Sequence, residues 1–291
     1  HKLSRKGGAA MMRWLIPMLC AGAMLLRPEV SLQAAADACA LFARSVLPGL
    51  YPYMILLLVA LDRLPAQAPY PLLVALGWGA GSPCGAKICA ARQGRMDPRA
   101  LRRLTVCCGT MSPMFLYGTL GQWLQSPRAG LCILLAVLAG GLAASAALPG
   151  GGESRQPSSA FSQAAPMSLG AAVEKASITL LTVCGCMVLG NVLSALLPAL
   201  LPGLPQGARL GIACLAEVTT GSRALALLPL PLELRVALLS GETGFGALAI
   251  LLQNRALGPR GLMPLWAQLG FQLLHGLLSA LVGYGLVLLL L

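Results

Sequence analysis

The chain has 291 residues, 57% of them hydrophobic and only 10% charged, with a formal net charge of +12. Apolar runs near 20 residues recur, the length a helix needs to cross about 30 Å of hydrocarbon, so the chain reads as an all-α polytopic membrane protein rather than a soluble enzyme. The positive charge is no nucleic-acid signal, because aromatic residues are sparse and no soluble basic domain carries it. The ten cysteines sit mostly inside apolar runs and read as small buried hydrophobes. The only histidines are His1 and His275, too few for a Cys/His zinc site, and no metal or other cofactor is expected.

In chain order, Lys2, Arg5, Lys6 and Arg13 precede an apolar run at residues 14–26. Residues 1–30 read as an uncleaved first transmembrane helix with its N-terminus in the cytoplasm; a cleaved signal peptide, with Ala21-Gly22-Ala23 as its site, is the alternative. Residues 31–46 contain Gln33, Asp37 and Arg44 and read as an amphipathic helix in the interface. Residues 47–61 cross inward to Asp62 and Arg63. Residues 70–92 are apolar but broken at Gly79-Ala80-Gly81-Ser82-Pro83. Each half holds about ten residues, roughly 15 Å or half a bilayer, which predicts a re-entrant hairpin. Arg92, Arg95, Arg99, Arg102 and Arg103 then fall in a cytoplasmic loop, where they act as a topology determinant and a contact for anionic lipid. Residues 104–124 cross outward and are broken at Gly109-Thr110-Met111-Ser112-Pro113; residues 130–148 cross back.

Residues 149–168, rich in Gly, Ser and Pro, read as a cytoplasmic linker. The second half then repeats the order of the first. A long apolar run follows Glu174 and Lys175. A hairpin at residues 210–230 is split at Glu217-Val218-Thr219-Thr220-Gly221-Ser222. A crossing at residues 232–252 is split at Ser240-Gly241-Glu242-Thr243-Gly244, and a final helix spans residues 263–291. Equivalent features are about 130–140 residues apart, too long for a solenoid period and suited to a transporter-type duplication. Residues 31–148 form repeat 1 and residues 169–291 repeat 2. Three crossings and one hairpin in each half make the repeats inverted, and with the first helix the total is about seven crossings plus two hairpins. On this topology most Lys and Arg fall inside, leaving only Arg27, Arg44, Arg128, Arg209, Arg223 and Arg235 outside.

Backbone that leaves the helix at bilayer depth must be buried in protein or line a watery cavity, so the paired breaks mark a binding site. The segment Gly81–Lys87 is no phosphate loop: Pro83 interrupts it, Lys87 does not directly follow a Gly, and no strand precedes it. It reads instead as the start of a half-helix whose N–H groups and dipole, with Lys87 in the first turn, hold an anionic or carbonyl-bearing solute. The alternative is that Lys87 pairs with Glu217 or Glu242 and stabilises the bundle. Those two carboxyls are the sharpest signals, since a charge at bilayer centre costs about 2.5–3.5 kcal/mol on insertion scales and normally faces a cavity or a partner. A carboxyl at that depth also suits proton coupling. Ser82, Ser112, Thr219, Thr220, Ser222 and Thr243 are ligand contacts or satisfy nearby carbonyls. His275 reads as an interhelical hydrogen-bonding residue, and no nucleophile–His–acid set is present for an intramembrane hydrolase.

The order of GSPCGAK at 81–87, CCGTMSPMFLYG at 107–118, EVTTG at 217–221, GFGALAILLQ at 244–253 and QLLHGLLSAL at 272–281 resembles the YlbJ-type sporulation integral membrane proteins. These belong to the nucleoside-recognition or Gate-domain group, and the resemblance covers residues 31–284. It implies the fold of concentrative nucleoside transporters: two inverted repeats carrying re-entrant hairpins, in the cell membrane or in the mother-cell or forespore membrane. Where the family typically has Gly-Tyr-Pro-x-Gly-Ala-Lys, this chain has Gly81-Ser82-Pro83-Cys84-Gly85-Ala86-Lys87. The usual Asn-Asn pair is Gly109-Thr110, Glu-Ile-Thr-Asn-Gly is Glu217-Val218-Thr219-Thr220-Gly221, and a commonly polar Ser and His fall on Ala249 and Leu251.

The expected site comprises Ser82, Cys84, Gly85, Lys87 and Ser112 from repeat 1, and Glu217, Thr219, Thr220, Ser222, Glu242 and Thr243 from repeat 2. The expected function is transport or gating of a small polar solute coupled to a proton or sodium ion. The alternative is a non-transporting sporulation scaffold, a homo-oligomer or a partner of other sporulation membrane proteins, which keeps the fold after losing polar side chains.

Overall fold

The computed structural model describes residues 15, 17–65, 68–148 and 167–291. Residues 149–166 of the expected linker, and the basic residues expected ahead of the first helix, lie outside the described residues. Among the described residues every regular element is helical. The first half holds α1 (Pro17–Leu26), α2 (Pro28–Leu41), a π-helical turn (Phe42–Val46), α3 (Leu47–Arg63), α4 (Tyr70–Ala80), α5 (Cys84–Arg92), α6 (Pro98–Cys107), a second π-helical turn (Met114–Thr119), α7 (Leu120–Trp123) and α8 (Pro127–Ala146). The second half holds α9 (Leu169–Leu200), α10 (Gln206–Ala216), α11 (Val218–Ala226), α12 (Leu232–Phe245), α13 (Ala247–Leu257) and α14 (Leu265–Leu290).

Proline and short polar caps set where helices begin. Pro98 opens α6 while the Asp97 carboxylate accepts from the amides of Arg99 and Ala100, both at 3.0 Å. Ser126 caps α8, with Pro127 at its first position, and Ser168 caps α9, each side chain accepting an amide three residues on at 3.2 Å. A missing N–H costs nothing at the first helical position, and the cap satisfies an amide that has no partner inside the helix.

Four helical stretches are long and apolar enough to cross a membrane: α8, α9, the α12–α13 pair and α14; the bent α2–α3 pair makes a fifth. The architecture is compatible with a multi-pass membrane protein, with four or five long apolar helical stretches among the described residues where seven crossings were expected. The difference lies in the first helix, described only from residue 15 and without residue 16, and in residues 104–124. There α6 ends at Cys107, the chain unwinds over residues 108–112, and it re-forms as a π-helical turn.

Residues 31–46, expected as an amphipathic helix in the interface, pack through α2 against α9, and α2 buries Ser31, Ala34 and Ala38. Ala34 packs with Val192 and Leu196, and the Asn191 amide donates to the Ala34 carbonyl at 2.7 Å. Farther on, Tyr51 of α3 is hydrogen-bonded to Ser177 at 2.7 Å. Thus α2 and α3 follow one antiparallel track along α9, bent by 56° where the π-turn precedes Pro48. A π-bulge followed by proline is a sufficient cause for such a bend.

The breaks of the second half also differ in place. The hairpin helices α10 and α11 are separated by Glu217 alone, not by residues 217–222. The chain leaves α12 at Gly246, with φ +77°, rather than at residues 240–244. Helix persists through 240–244 because Gly241 and Gly244 face α14 closely instead of freeing the backbone, and the Thr243 hydroxyl is satisfied within the helix by the Leu239 carbonyl at 2.7 Å.

Loops mark two ends. Arg92 donates to the Pro65 carbonyl at 2.9 Å, Gln93 exchanges two hydrogen bonds with the backbone of Arg260 at 2.8 and 3.0 Å, and the Met167 amide donates to Asp62. Residues 62–65, 92–97, 167 and 258–263 therefore share one end. At the other, Leu124, Leu225, Leu228 and Leu232 belong to one apolar cluster.

Candidate functional site

The tip of the first hairpin is closed by the first broken segment. Gly81 has φ +67°, and a Cβ there would lie 2.3 Å from the Ser112 amide nitrogen, so the position needs glycine both for its conformation and for the approach. The Ser82–Pro83 peptide is cis. The Ser82 amide donates to the Thr110 carbonyl at 2.6 Å, and its hydroxyl donates to Asn254 Oδ1 at 3.0 Å. Cys84 is buried, and Gly85 abuts the Cys108 carbonyl, where a Cβ would come within 2.3 Å. Ser112 caps the π-turn, its hydroxyl accepting from the Phe115 amide at 3.4 Å. The start of α5 is thus a packing surface. Lys87 is half-buried, and among the described residues the charged and titratable groups that act on it are the Cys84 thiol and Lys175 of α9.

The second-repeat residues divide into two groups. Glu217 is the N-cap of α11: its Oε2 accepts from the Thr220 amide at 2.7 Å, and its side chain packs on Gly190 of α9. Thr220 donates its hydroxyl to Asn191 at 3.0 Å, so Glu217, Thr220 and Asn191 join α11, α9 and α2. Glu242, on α12, faces Gly221 of α11 with the Cys214 thiol beside it; it is 8% exposed, and its Oε1 has no hydrogen-bond partner. Thr219 and Ser222 are buried, the Ser222 hydroxyl without a partner, and Thr243 bonds within its own helix.

The structure adds a polar vestibule at the Arg260 end. A cavity of about 180 Å³ is lined by Thr105, Asn254, Arg255, Arg260 and Gln268 together with apolar residues. A smaller space of about 20 Å³, room for about one water, shares Thr105, Asn254 and Gln268 with it and reaches Gly109, Gln272 and His275. Both amide atoms of Gln272 are buried without a protein partner. His275 Nε2 donates to the Val137 carbonyl at 2.8 Å, which ties α14 to α8 and leaves Nδ1 as the acceptor of the neutral ring. Arg255 donates to Gln268 at 3.3 Å, and no acidic residue lines either space.

Asn254, Gln268 and Gln272 were not among the expected site residues. Their signal was present: amides inside the apolar stretches of α13 and α14, uncharged but in need of hydrogen-bond partners at that depth. Between Asn254 and Glu242 lies an apolar layer in which Val218, Phe245, Ala247 and Ile250 pack with Met111. Along α12–α13 the order is carboxyl, apolar layer, amide.

Among the described residues no group of His, Cys, Asp and Glu is arranged to hold a metal ion. No protein-family model matches the chain, and neither a curated protein nor a solved structure matches it.

Proposed function

We propose that the protein transports or gates a small polar solute, anionic or carbonyl-bearing, through a path that starts at the vestibule and is closed by the Met111–Phe245 layer. The observation that carries this reading is Gln272, whose two amide atoms lack protein partners in the small space that adjoins the cavity lined by Arg255 and Arg260. Polar groups without partners at membrane depth are expected only where a cavity or solute meets them. Two arginines without an acid favour an anion.

Inverted repeats of the concentrative-nucleoside-transporter type are part of this proposal. In support, α5 packs on α13 and α11 packs on α7, so that each hairpin's return helix touches the second part of the other half's broken crossing. The α8–α14 pair joins the last helices of the two halves in the same sense. The resemblance to YlbJ-type proteins supports a sporulation membrane as the setting, with the arginine-rich end in the cytoplasm. Protons or sodium ions would be coupled through the carboxyls. A second reading, a sporulation scaffold, is favoured by the closed first hairpin, where Ser82, Cys84 and Gly85 are spent on packing.

The test uses a cysteine-free background with Gln268→Cys or Ser222→Cys, reconstituted in vesicles. Gln268→Cys is expected to react from the arginine-rich side, faster with an anionic than a cationic methanethiosulfonate, while Ser222→Cys stays protected. Uptake of radiolabelled small carboxylates and phosphates is expected to saturate in wild type and to fall about tenfold or more in Gln272→Ala. A protected Gln268→Cys, together with no uptake of any solute in that panel, would move the assignment to the scaffold.

A further inference from the structure

A second cavity, of about 620 Å³, opens on the flank of the bundle against α12 and α14, with Cys214 of α10 also in its lining. Its rim is Leu234 and Leu238 of α12 and Leu273 and Leu277 of α14, all exposed. In a helical bundle of this hydropathy, such a leucine rim faces acyl chains rather than water. Gly241 and Gly276 leave the groove wall without side chains; a Cβ on Gly276 would come within 2.8 Å of the Gly241 carbonyl.

Glu242 stands at the inner end, more than nine-tenths buried, its Oε1 without a hydrogen-bond partner. Apart from Glu242 and the Cys214 thiol the lining is apolar, and no cation is part of it. Glu217 is not an alternative focus, because its carboxylate is held by the Thr220 amide. A carboxyl at the end of an apolar slot either keeps its proton or is met by a partner that brings positive charge or hydrogen-bond donors to it. That partner must also displace nothing polar on its way past the leucines. A bare acyl chain meets the second demand but not the first, and a hydrophilic cation meets the first but not the second.

We infer that this groove binds a cationic amphiphile, an apolar chain carrying one protonated amine, which enters from the bilayer and sets its amine against Glu242. The vestibule lies on the other side of the Phe245 layer, so this groove is a separate site from the vestibule.

The full-length chain in neutral phospholipid vesicles, probed with dodecylamine, tests the inference. Two readouts are needed: saturable binding of radiolabelled dodecylamine above that of protein-free vesicles, and the rate at which dicyclohexylcarbodiimide converts Glu242 to its N-acylurea, followed by mass spectrometry. Dodecylamine is expected to slow the modification about tenfold or more, and dodecanol at the same membrane concentration to leave it unchanged. Glu242→Gln and, separately, Leu238→Trp, which fills the groove from its rim without touching the carboxyl, are each expected to weaken binding about tenfold or more. Equal protection by dodecanol would make the groove an acyl-chain slot without charge recognition and overturn the inference. Absence of saturable binding, binding unaffected by Glu242→Gln, or a Glu242 unreactive to carbodiimide would overturn it as well. Labelling of Gln268→Cys from the arginine-rich side is expected to be the same with Leu238→Trp as without it, so failure of this inference leaves the vestibule reading standing.

Discussion

Glu217 holds a position that gives its carboxylate a partner, and Glu242 does not. At the start of α11 the Thr220 amide has no acceptor inside its helix, and Glu217 Oε2 meets it at 2.7 Å in a site that is 2% exposed. Glutamine keeps an oxygen acceptor there and alanine keeps none. We expect Glu217→Gln to stay within about 0.5 kcal/mol of wild type and Glu217→Ala to lose about 1–2 kcal/mol, measured by reversible unfolding in mixed micelles. A large loss for glutamine as well would mean that the charge, not the cap, is what the site requires. Both acids were legible in the sequence as costly residues in apolar segments, but their different roles were not. A cap depends on where the chain leaves the helix, and that point, one residue at Glu217 rather than a broad break at 217–222, was set by tertiary packing on Gly190 and Asn191. Asn254 carries no charge and so does not stand out within an apolar segment as the two acids do. Its bond to Ser82 joins two segments far apart in the chain, and no local pattern announces such a pair.

At the scale of elements, glycine carried two meanings that the sequence does not separate. In Gly81 it releases the backbone; in α12 and α14 it lets two helices meet. Gly241, Gly244, Gly276, Ser279 and Gly283 fall three or four positions apart along their helices, so that each set shares a face, and Gly140 of α8 meets Ser279 on that seam. Small residues at such spacing are a usual basis of helix association in a bilayer, where apolar burial between helices brings little. The spacing was visible, yet Ser240–Gly244 read as a break because glycine is a poor helix former in isolation. Backbone contacts at the seam make the difference measurable. A Cβ at Gly276 meets the Gly241 carbonyl oxygen at 2.8 Å and Phe245 Cβ at 3.0 Å, whereas one at Gly285 meets nothing within 4 Å. Gly276→Ala is expected to destabilise the bundle by about 1–3 kcal/mol, and Gly285→Ala to leave it unchanged or to raise stability by up to about 1 kcal/mol. Equal behaviour of the two variants would show that the seam is loose.

For the whole molecule, helix content and the grouping of loops followed from hydropathy and charge, while the points where helices break off part-way did not. The bilayer requires long apolar helices whatever they pack against, so α8, α9 and α14 stand out from composition alone. Segments that unwind part-way obey a different rule, since their backbone must be satisfied by neighbours that lie elsewhere in the chain. Residues 108–112 are such a case: Thr110 bonds to Ser82, and Ser112 abuts Gly81. Whether the chain passes through the membrane there decides the sidedness of everything between α6 and α8. Arg99 and Arg260 belong to the end tied together by Gln93, whereas Arg128 follows α7 at the end occupied by Leu124 and Leu232. All three side chains are exposed. Single cysteines replacing each, in a cysteine-free chain, are expected to react with an impermeant maleimide from opposite faces of the vesicle: Arg99→Cys and Arg260→Cys from one, Arg128→Cys from the other. Reaction of Arg128→Cys on the same face as Arg99→Cys would make α6 and α7 a re-entrant pair. It would remove one crossing from the first half, and with it the inversion that pairs the two hairpins.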